Sequence, residues 1–248
     1  MKKARILVIQ FRSDGAGIAA EHECLRRVLE EKCELVFKNA LKDEIHWDDP
    51  KHVLTGFNGV ILAGSAELYF DGGHDESHEG RVVTSKIAKK SRLFARYLIE
   101  HDVPTLGICF GHQLLGAAVG ADIRHSPTEG KTGTTRLRVA VEGENDPLLR
   151  GMPTEFPAQY MHKDVISKLP HGAVVLAQNA EKCPHAILRF APHVYSVQFH
   201  PERSREDFIA ASKRTPEYMP NNKSAEELFQ DAKESERVLV NFVSLATR

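Results

Sequence analysis

Short, mostly apolar runs recur through the first half of the chain, each followed by a longer stretch with helical spacing. Arg5 to Phe11, Gly59 to Ala63 and Val103 to Ile108 lack the polar alternation of a strand with one wet face. Runs of this kind belong where helices cover both faces of a sheet. Ile18 to Glu31 reads as an amphipathic helix, and residues 80 to 101 carry Val83, Ile87, Phe94, Tyr97, Leu98 and Ile99 at roughly helical spacing. Glu34 to Phe37 adds a strand, and Gly111 to about Val119 another helix. Strand alternating with helix predicts βαβ units and a mostly parallel sheet, an α/β fold.

The rhythm changes in the second half. Arg136 to Val141 alternates with period two, and Val174 to Ala177, Ala186 to Phe190 and Val194 to Phe199 follow with short loops. These read as antiparallel strands added to the core sheet. A short helix follows Pro201, then a polar stretch from Lys213 to Lys223. A terminal helix is predicted over Ala225 to about Ala246, with Leu228, Ala232, Val238, Leu239, Phe242 and Leu245 on one stripe. No repeat or linker divides the chain. The expectation is one domain over residues 1–248, with a core at about 4–205 and a helical extension from 206 to 248.

Composition excludes several classes. The 248 residues hold 33 basic and 34 acidic side chains, a net charge of −1, without the basic excess of a nucleic-acid binder. Hydrophobic residues make up 42% and charged residues 27%, ordinary globular values. No apolar run approaches the roughly 18 residues of a membrane helix. The apolar start at Ile6 to Ile9 lacks the length and cleavage site of a signal peptide. Four cysteines form no disulfide framework over this length. The expectation is a cytoplasmic protein without membrane or nucleic-acid partners.

The chemistry concentrates in Gly107-Ile108-Cys109-Phe110-Gly111-His112-Gln113. A strand ends, the chain turns sharply and a helix begins, which is a nucleophile elbow carrying sulfur. Glycines two before and two after Cys109 fit a turn too tight for side chains. The elbow lifts Cys109 clear of the sheet edge at a helix N-terminus, where dipole and free N–H groups favour the thiolate. The Phe110 N–H is then one oxyanion donor. Taken alone, this pattern also describes a buried cysteine beside a tight turn. A base and its orienting acceptor are also needed, and Val197-Gln198-Phe199-His200-Pro201-Glu202 supplies both at the end of a strand. In α/β sheets that edge is where sites form. Cys109, His200 and Glu202 therefore read as a catalytic triad.

These two motifs, in this order, resemble the class I glutamine amidotransferase family, including the glutaminase domain of GMP synthases and the γ-glutamyl peptidases. The resemblance runs from the first strand to about residue 205. It implies a flavodoxin-like sheet, no cofactor and no metal, and hydrolysis of the glutamine side-chain amide through a γ-glutamyl thioester on Cys109. By the same likeness Gln113 matches a glutamine-binding position. Gly64-Ser65, after Gly59 to Ala63, stands where many members carry a Gly-Gly-Pro oxyanion loop; only Gly64 matches. Tyr160-Met161-His162-Lys163-Asp164 is similar to the family's Ser-His-x-Asp segment in the glutamine pocket, with Met161 replacing the serine and His162 retained. Gly130-Lys131-Thr132 is faintly similar to chorismate-using members.

Other features read more plainly. His74-Asp75-Glu76-Ser77-His78 is expected to be a solvated acidic loop rather than a metal site, with a lid or partner surface as a minor alternative. Cys24, Cys33 and Cys183 are expected to be packing residues. Two functions stay open. One is a glutaminase that releases ammonia to a separate synthetase, since nothing resembles a nucleotide site. The other is a stand-alone hydrolase of a γ-glutamyl compound.

Overall fold

A computed structural model describes residues 3–126 and 131–247; Gly130 of the Gly130-Lys131-Thr132 segment lies outside the described residues. The first half runs β1 (Ala4–Gln10), α1 (Gly15–Leu29), β2 (Cys33–Asn39), α2 (Pro50–Leu54), β3 (Gly59–Leu62), α3 (Glu79–Glu100), β4 (Thr105–Ile108) and α4 (Phe110–Ala118). Then come β5 (Asp122–His125), β6 (Lys131–Val139), β7 (Glu155–His162), β8 (Asp164–Lys168), β9 (Val174–Asn179), β10 (Cys183–Ala191) and β11 (Val194–Val197). The chain closes with α5 (Arg205–Ser212), the single turn α6 (Ala225–Leu228) and α7 (Arg237–Ala246).

Among the described residues, nine strands form one sheet in the order β2-β1-β3-β4-β11-β10-β9-β6-β7. The first five are parallel neighbours, and their order is that of a flavodoxin-like sheet. From β10 onward the pairings are antiparallel. The mostly parallel α/β sheet with antiparallel additions is thus as the apolar runs and the later alternation predict.

Strand alternation divides the core into two layers. Ile6, Val8, Ile61, Leu106 and Ile108 pack with Leu25 and Leu29 of α1 and Val238, Leu239 and Phe242 of α7. Leu7, Ile9, Val60 and Leu62 face the other way, onto Ile87, Phe94 and Leu98 of α3 and Leu114 and Leu115 of α4. Both faces of the parallel strands are covered, which is why those strands are apolar at consecutive positions. A third cluster joins Tyr69, Met161, Phe208, Tyr218, Ala225 and Phe229. It binds the C-terminal segment to β7 and to the loop after β3.

Two sequence expectations change. The terminal helix is broken: Phe229 is extended (φ −100°, ψ 126°), and a 3-10 turn at Lys233–Glu236 precedes α7. Tertiary contacts outweigh the helical stripe. The Phe229 ring is fully buried and stacks on Phe208 at 4.6 Å, while the Gln230 carbonyl accepts from Gln159 Nε2 at 2.6 Å and the Gln230 N–H donates to Thr134 Oγ1 at 2.8 Å. The strands β5, β7 and β8 form from stretches without a clear alternating pattern. On β7, Phe156, Ala158, Gln159, Tyr160, Met161 and His162 are all buried.

Candidate active site

The turn between β4 and α4 sets Cys109 at φ +51°, ψ −98°. That region is unfavourable for a residue with a side chain and persists only where surrounding structure enforces it. Two bonds do so: the Cys109 N–H donates to the Val197 carbonyl of β11 at 2.8 Å, and the Gly111 N–H donates to the Ala63 carbonyl at 3.1 Å. The spacing of the glycines follows from close approach. A Cβ on Gly111 would lie 2.1 Å from the Leu62 carbonyl oxygen, and one on Gly107 would lie 2.6 Å from the Gly111 carbonyl oxygen.

His200 leaves the end of β11 and is 4% exposed. Its N–H donates to the Gln159 carbonyl of β7 at 3.0 Å. Its Nδ1 meets Glu202 Oε1 at 2.7 Å, and its ring stands beside Cys109, close enough for the two to couple electrostatically. Burial alone would lower the His200 pKa, but the Glu202 carboxylate and Cys109 outweigh it and raise it to about 9. Burial likewise opposes ionisation of Glu202, and the charge and hydrogen bond of His200, with Arg203 beside it, hold its carboxyl below the ordinary range. Arg203 Nε lies 3.6 Å from Glu202 Oε1. Among the described residues Glu202 Oε2 is buried without a hydrogen-bond partner. The Cys109, His200 and Glu202 predicted from two distant motifs are thus brought together.

One correction concerns exposure. Cys109 is 3% exposed, not clear of the sheet edge, because the turn beyond β3 and the His200 ring lie over it. A Cβ on Gly64 would stand 2.8 Å from His200 Cε1 and 3.5 Å from Cys109 Cβ, so Gly64 is in contact range of both. Ser65 follows with its hydroxyl accepting from the Glu67 and Leu68 N–H groups, each at 3.1 Å. Its side chain therefore shapes the turn. Among the described residues no acceptor meets the N–H of Gly64, Ser65 or Phe110.

The remaining predicted residues sit on the other flank. Gln113 is buried on α4, and its Nε2 donates to the Asp164 carbonyl at 2.8 Å. His162 is buried at the end of β7, with Nδ1 3.1 Å from that same carbonyl. Met161 lies against the cleft beside His200. The carboxylate of Asp164 accepts the N–H groups of Phe70 (2.8 Å), Asp71 (3.0 Å) and Gly72 (2.5 Å), which anchors the loop beyond the Gly64-Ser65 turn. Further along that loop Asp75, Glu76 and Ser77 are exposed, as a solvated acidic segment predicts. His74 and His78 stack at 4.0 Å, and His78 Nδ1 caps α3 by accepting from the Gly80 N–H at 3.1 Å. Cys24, Cys33 and Cys183 are buried, in keeping with packing roles.

Sequence reading missed three contributors. Tyr218, from the C-terminal segment, has its hydroxyl 3.1 Å from the Ala66 carbonyl oxygen and 3.0 Å from Tyr69 Oη, so the extension packs against the loop after β3. Arg203 directly follows Glu202. Arg12 lines the cleft from just beyond β1, and the sequence signal for it was its place at a parallel strand's C-terminal end. Among the described residues no helix is long and apolar enough to cross a membrane.

A family model described as glutamine amidotransferase class-I matches residues 19–211. The chain is 31% identical over 165 residues to the GMP synthase (glutamine-hydrolyzing) of Thermosipho africanus, covering 65% of this chain and 28% of that protein. It is 37% identical over 106 residues to one of the subunits of the GMP synthase (glutamine-hydrolyzing) of Methanocaldococcus jannaschii, covering 43% and 54%. The matches thus span less than two thirds of either relative. A solved glutamine amidotransferase from Thermotoga maritima superposes with a TM-score of 0.72 at 17% identity over 100% of both chains, a likeness of fold. With the family match running from within α1 to within α5, across both the Cys109 turn and the His200–Glu202 corner, the chain belongs to the class-I glutamine amidotransferase family.

Proposed function

We propose that this chain hydrolyses the side-chain amide of glutamine through Cys109, His200 and Glu202, and releases ammonia for a separate synthetase. The observation that carries this reading is the strained Cys109 turn with the His200 ring beside it and bonded to Glu202 at 2.7 Å. The thiolate of Cys109 attacks the amide carbon. Gly64, Ser65 and Phe110 offer backbone N–H groups to the developing oxyanion, a contribution of about 10²–10³ in rate per donor. The His200 imidazolium gives its proton to the leaving nitrogen, ammonia departs and a γ-glutamyl thioester remains. Water then attacks the thioester with His200 as base, releasing glutamate. Glu202 holds the imidazole by Nδ1 and stabilises its charge. Met161, His162 and Gln113 belong to the glutamyl side, with Gln113 acting through the Asp164 backbone that it holds. The chain works as one domain in which Phe208, Ala211 and Arg214 of the C-terminal segment complete the wall of the site.

The likeness to a GMP synthase built from distinct subunits supports delivery to a synthetase on another chain. The test is glutamine turnover by the purified chain, alone and with the synthetase from the same cell. A rise of at least roughly tenfold on adding the synthetase is expected, within what one misplaced oxyanion donor costs. Full activity alone, unmoved by the synthetase, would reject delivery. A second reading, hydrolysis of a γ-glutamyl conjugate by the chain alone, is favoured by the cleft beside His200, which is walled by Phe208, Ala211 and Arg214 of the C-terminal segment.

A further inference from the structure

The turn that carries Gly64 and Ser65 is pinned at both ends. On the β3 side the Ala63 N–H donates to the Ile9 carbonyl at 2.9 Å, and the Ala63 carbonyl accepts from the Gly111 N–H at 3.1 Å. On the far side the Ala66 carbonyl oxygen stands 2.9 Å from Tyr69 Oη and 3.1 Å from Tyr218 Oη, and the two hydroxyls lie 3.0 Å apart. The other end of that peptide is held as well, because the Glu67 N–H donates to Ser65 Oγ at 3.1 Å. Gly64 and Ser65 lie between the two anchors, and among the described residues no acceptor meets their N–H groups.

The tyrosine pair is itself held in place. Both residues are buried, their rings stack at 6.3 Å, and Lys163 Nζ lies 5.3 Å from the Tyr69 ring centre and 5.0 Å from that of Tyr218. The Tyr218 carbonyl accepts from Thr132 Oγ1 of β6 at 2.6 Å. Two hydroxyl protons serve three oxygens here. Tyr69 donates to the Ala66 carbonyl, and Tyr218 donates either to that carbonyl or to the Tyr69 oxygen, so each can hold Ala66 without the other. Burial raises the pKa of both phenols, so both remain donors near neutral pH. Tyr218 lies beyond residue 211, where the family match ends. The second half of the clamp therefore comes from the C-terminal segment.

A backbone N–H stabilises an oxyanion fully only when it is aimed before the charge develops. Gly64 has no side chain to hinder rotation, so the peptide planes between the anchors would turn freely if either anchor were loose. We infer that Tyr218, together with Tyr69, is a positioning residue for this turn: by holding the Ala66 carbonyl it aims the Gly64 and Ser65 N–H groups at the amide oxygen of the substrate. The inference rests on the reading of Gly64 and Ser65 as oxyanion donors. Neither tyrosine touches the reacting atoms in this role, since each acts through Ala66. An interaction that matters only once the oxyanion forms stabilises the transition state and not the bound substrate, so its loss belongs in kcat.

The test is glutamine turnover by the full chain, alone and with the synthetase from the same cell, in the parent, Tyr218→Phe, Tyr69→Phe and the double variant. Each substitution removes a hydroxyl and keeps the ring, and a thermal melt checks the fold. In either single variant kcat should fall roughly tenfold, short of the about 10²–10³ for a donor lost outright, because the second hydroxyl still holds Ala66. The double variant should lose roughly a hundredfold, and in all three kcat and kcat/KM should fall together with KM unchanged. If Tyr218→Phe does not fold, Tyr69→Phe carries the same test. Parental kcat in the variants overturns the clamp, whether or not their melting temperature drops. A rise in KM with kcat kept also overturns it, since the tyrosines would then shape substrate binding. An active parent with indifferent variants removes the clamp and leaves the triad standing. No glutamine turnover by the parent under either condition removes the clamp too; if Cys109 is then also unlabelled by a diazo-ketone analogue of glutamine, the triad reading falls with it.

Discussion

Cys109 differs from the other cysteines of the chain by backbone and neighbours rather than by exposure, since all four are buried. Burial pushes the Cys24 thiol up to about 12 and the Cys33 thiol up to about 11, so neither is a nucleophile near neutral pH. A diazo-ketone analogue of glutamine should therefore label Cys109 alone in the folded protein, read by peptide mass. Equal labelling of Cys24 or Cys33 would defeat the assignment. Cys109→Ala should abolish turnover. The His200 pKa, raised to about 9, sets a pH profile: the proton owed to the leaving nitrogen is present below that value and lost above it, so kcat/KM should fall on an alkaline limb near pH 9. Glu202→Gln removes the charge that raises this pKa, so the limb should move to lower pH as the rate drops. His200→Ala should cost more, about 10²–10⁴-fold. A limb that stays in place in Glu202→Gln would make Glu202 a turn residue only.

At the scale of elements, the site depends on how closely β3, β4 and α4 approach. Gly111→Ala would set a methyl 2.1 Å from a backbone oxygen of β3, and a central strand held on both sides by ladder bonds has little room to yield. The expected loss is about 1–3 kcal/mol, the usual cost of overpacking, measured by urea unfolding. A variant as stable as the parent would mean that the elbow relaxes freely. The elbow and the strand-end histidine were both legible, because a glycine pair and a proline-terminated strand leave few alternatives. β7 was not: it is buried at the sheet edge by β6 and the C-terminal segment, so it carries no alternating pattern. The terminal helix was misjudged for a related reason. Its apolar stripe is real, but Phe229 belongs to a different cluster from Val238, Leu239 and Phe242, and a single straight helix cannot reach both.

For the whole molecule, the C-terminal segment joins stability to the site. Phe229 is fully buried against Phe208, whose ring edges His200 at 5.7 Å. Phe229→Ala should destabilise the fold by about 3–5 kcal/mol, read by thermal or urea unfolding. Because the same aromatic stack backs the cleft, KM for glutamine should rise in that variant even under conditions where it is fully folded. Unchanged KM with lowered stability would show that the segment braces the fold without shaping the cleft.

The chain's own pattern determined the layered sheet, the elbow and the pairing of Cys109 with His200 and Glu202, since these rest on short-range rules: apolar runs, glycines at a tight turn, a proline after a strand. Tertiary structure alone decided the rest. It covered Cys109 with Gly64 and His200, brought Asp164 to the loop beyond the Gly64-Ser65 turn across more than ninety positions of sequence, and set Arg12 from one end of the chain in the same cleft as Arg214 from the other. Each of these joins residues far apart in sequence through the sheet order, and no local periodicity carries that order.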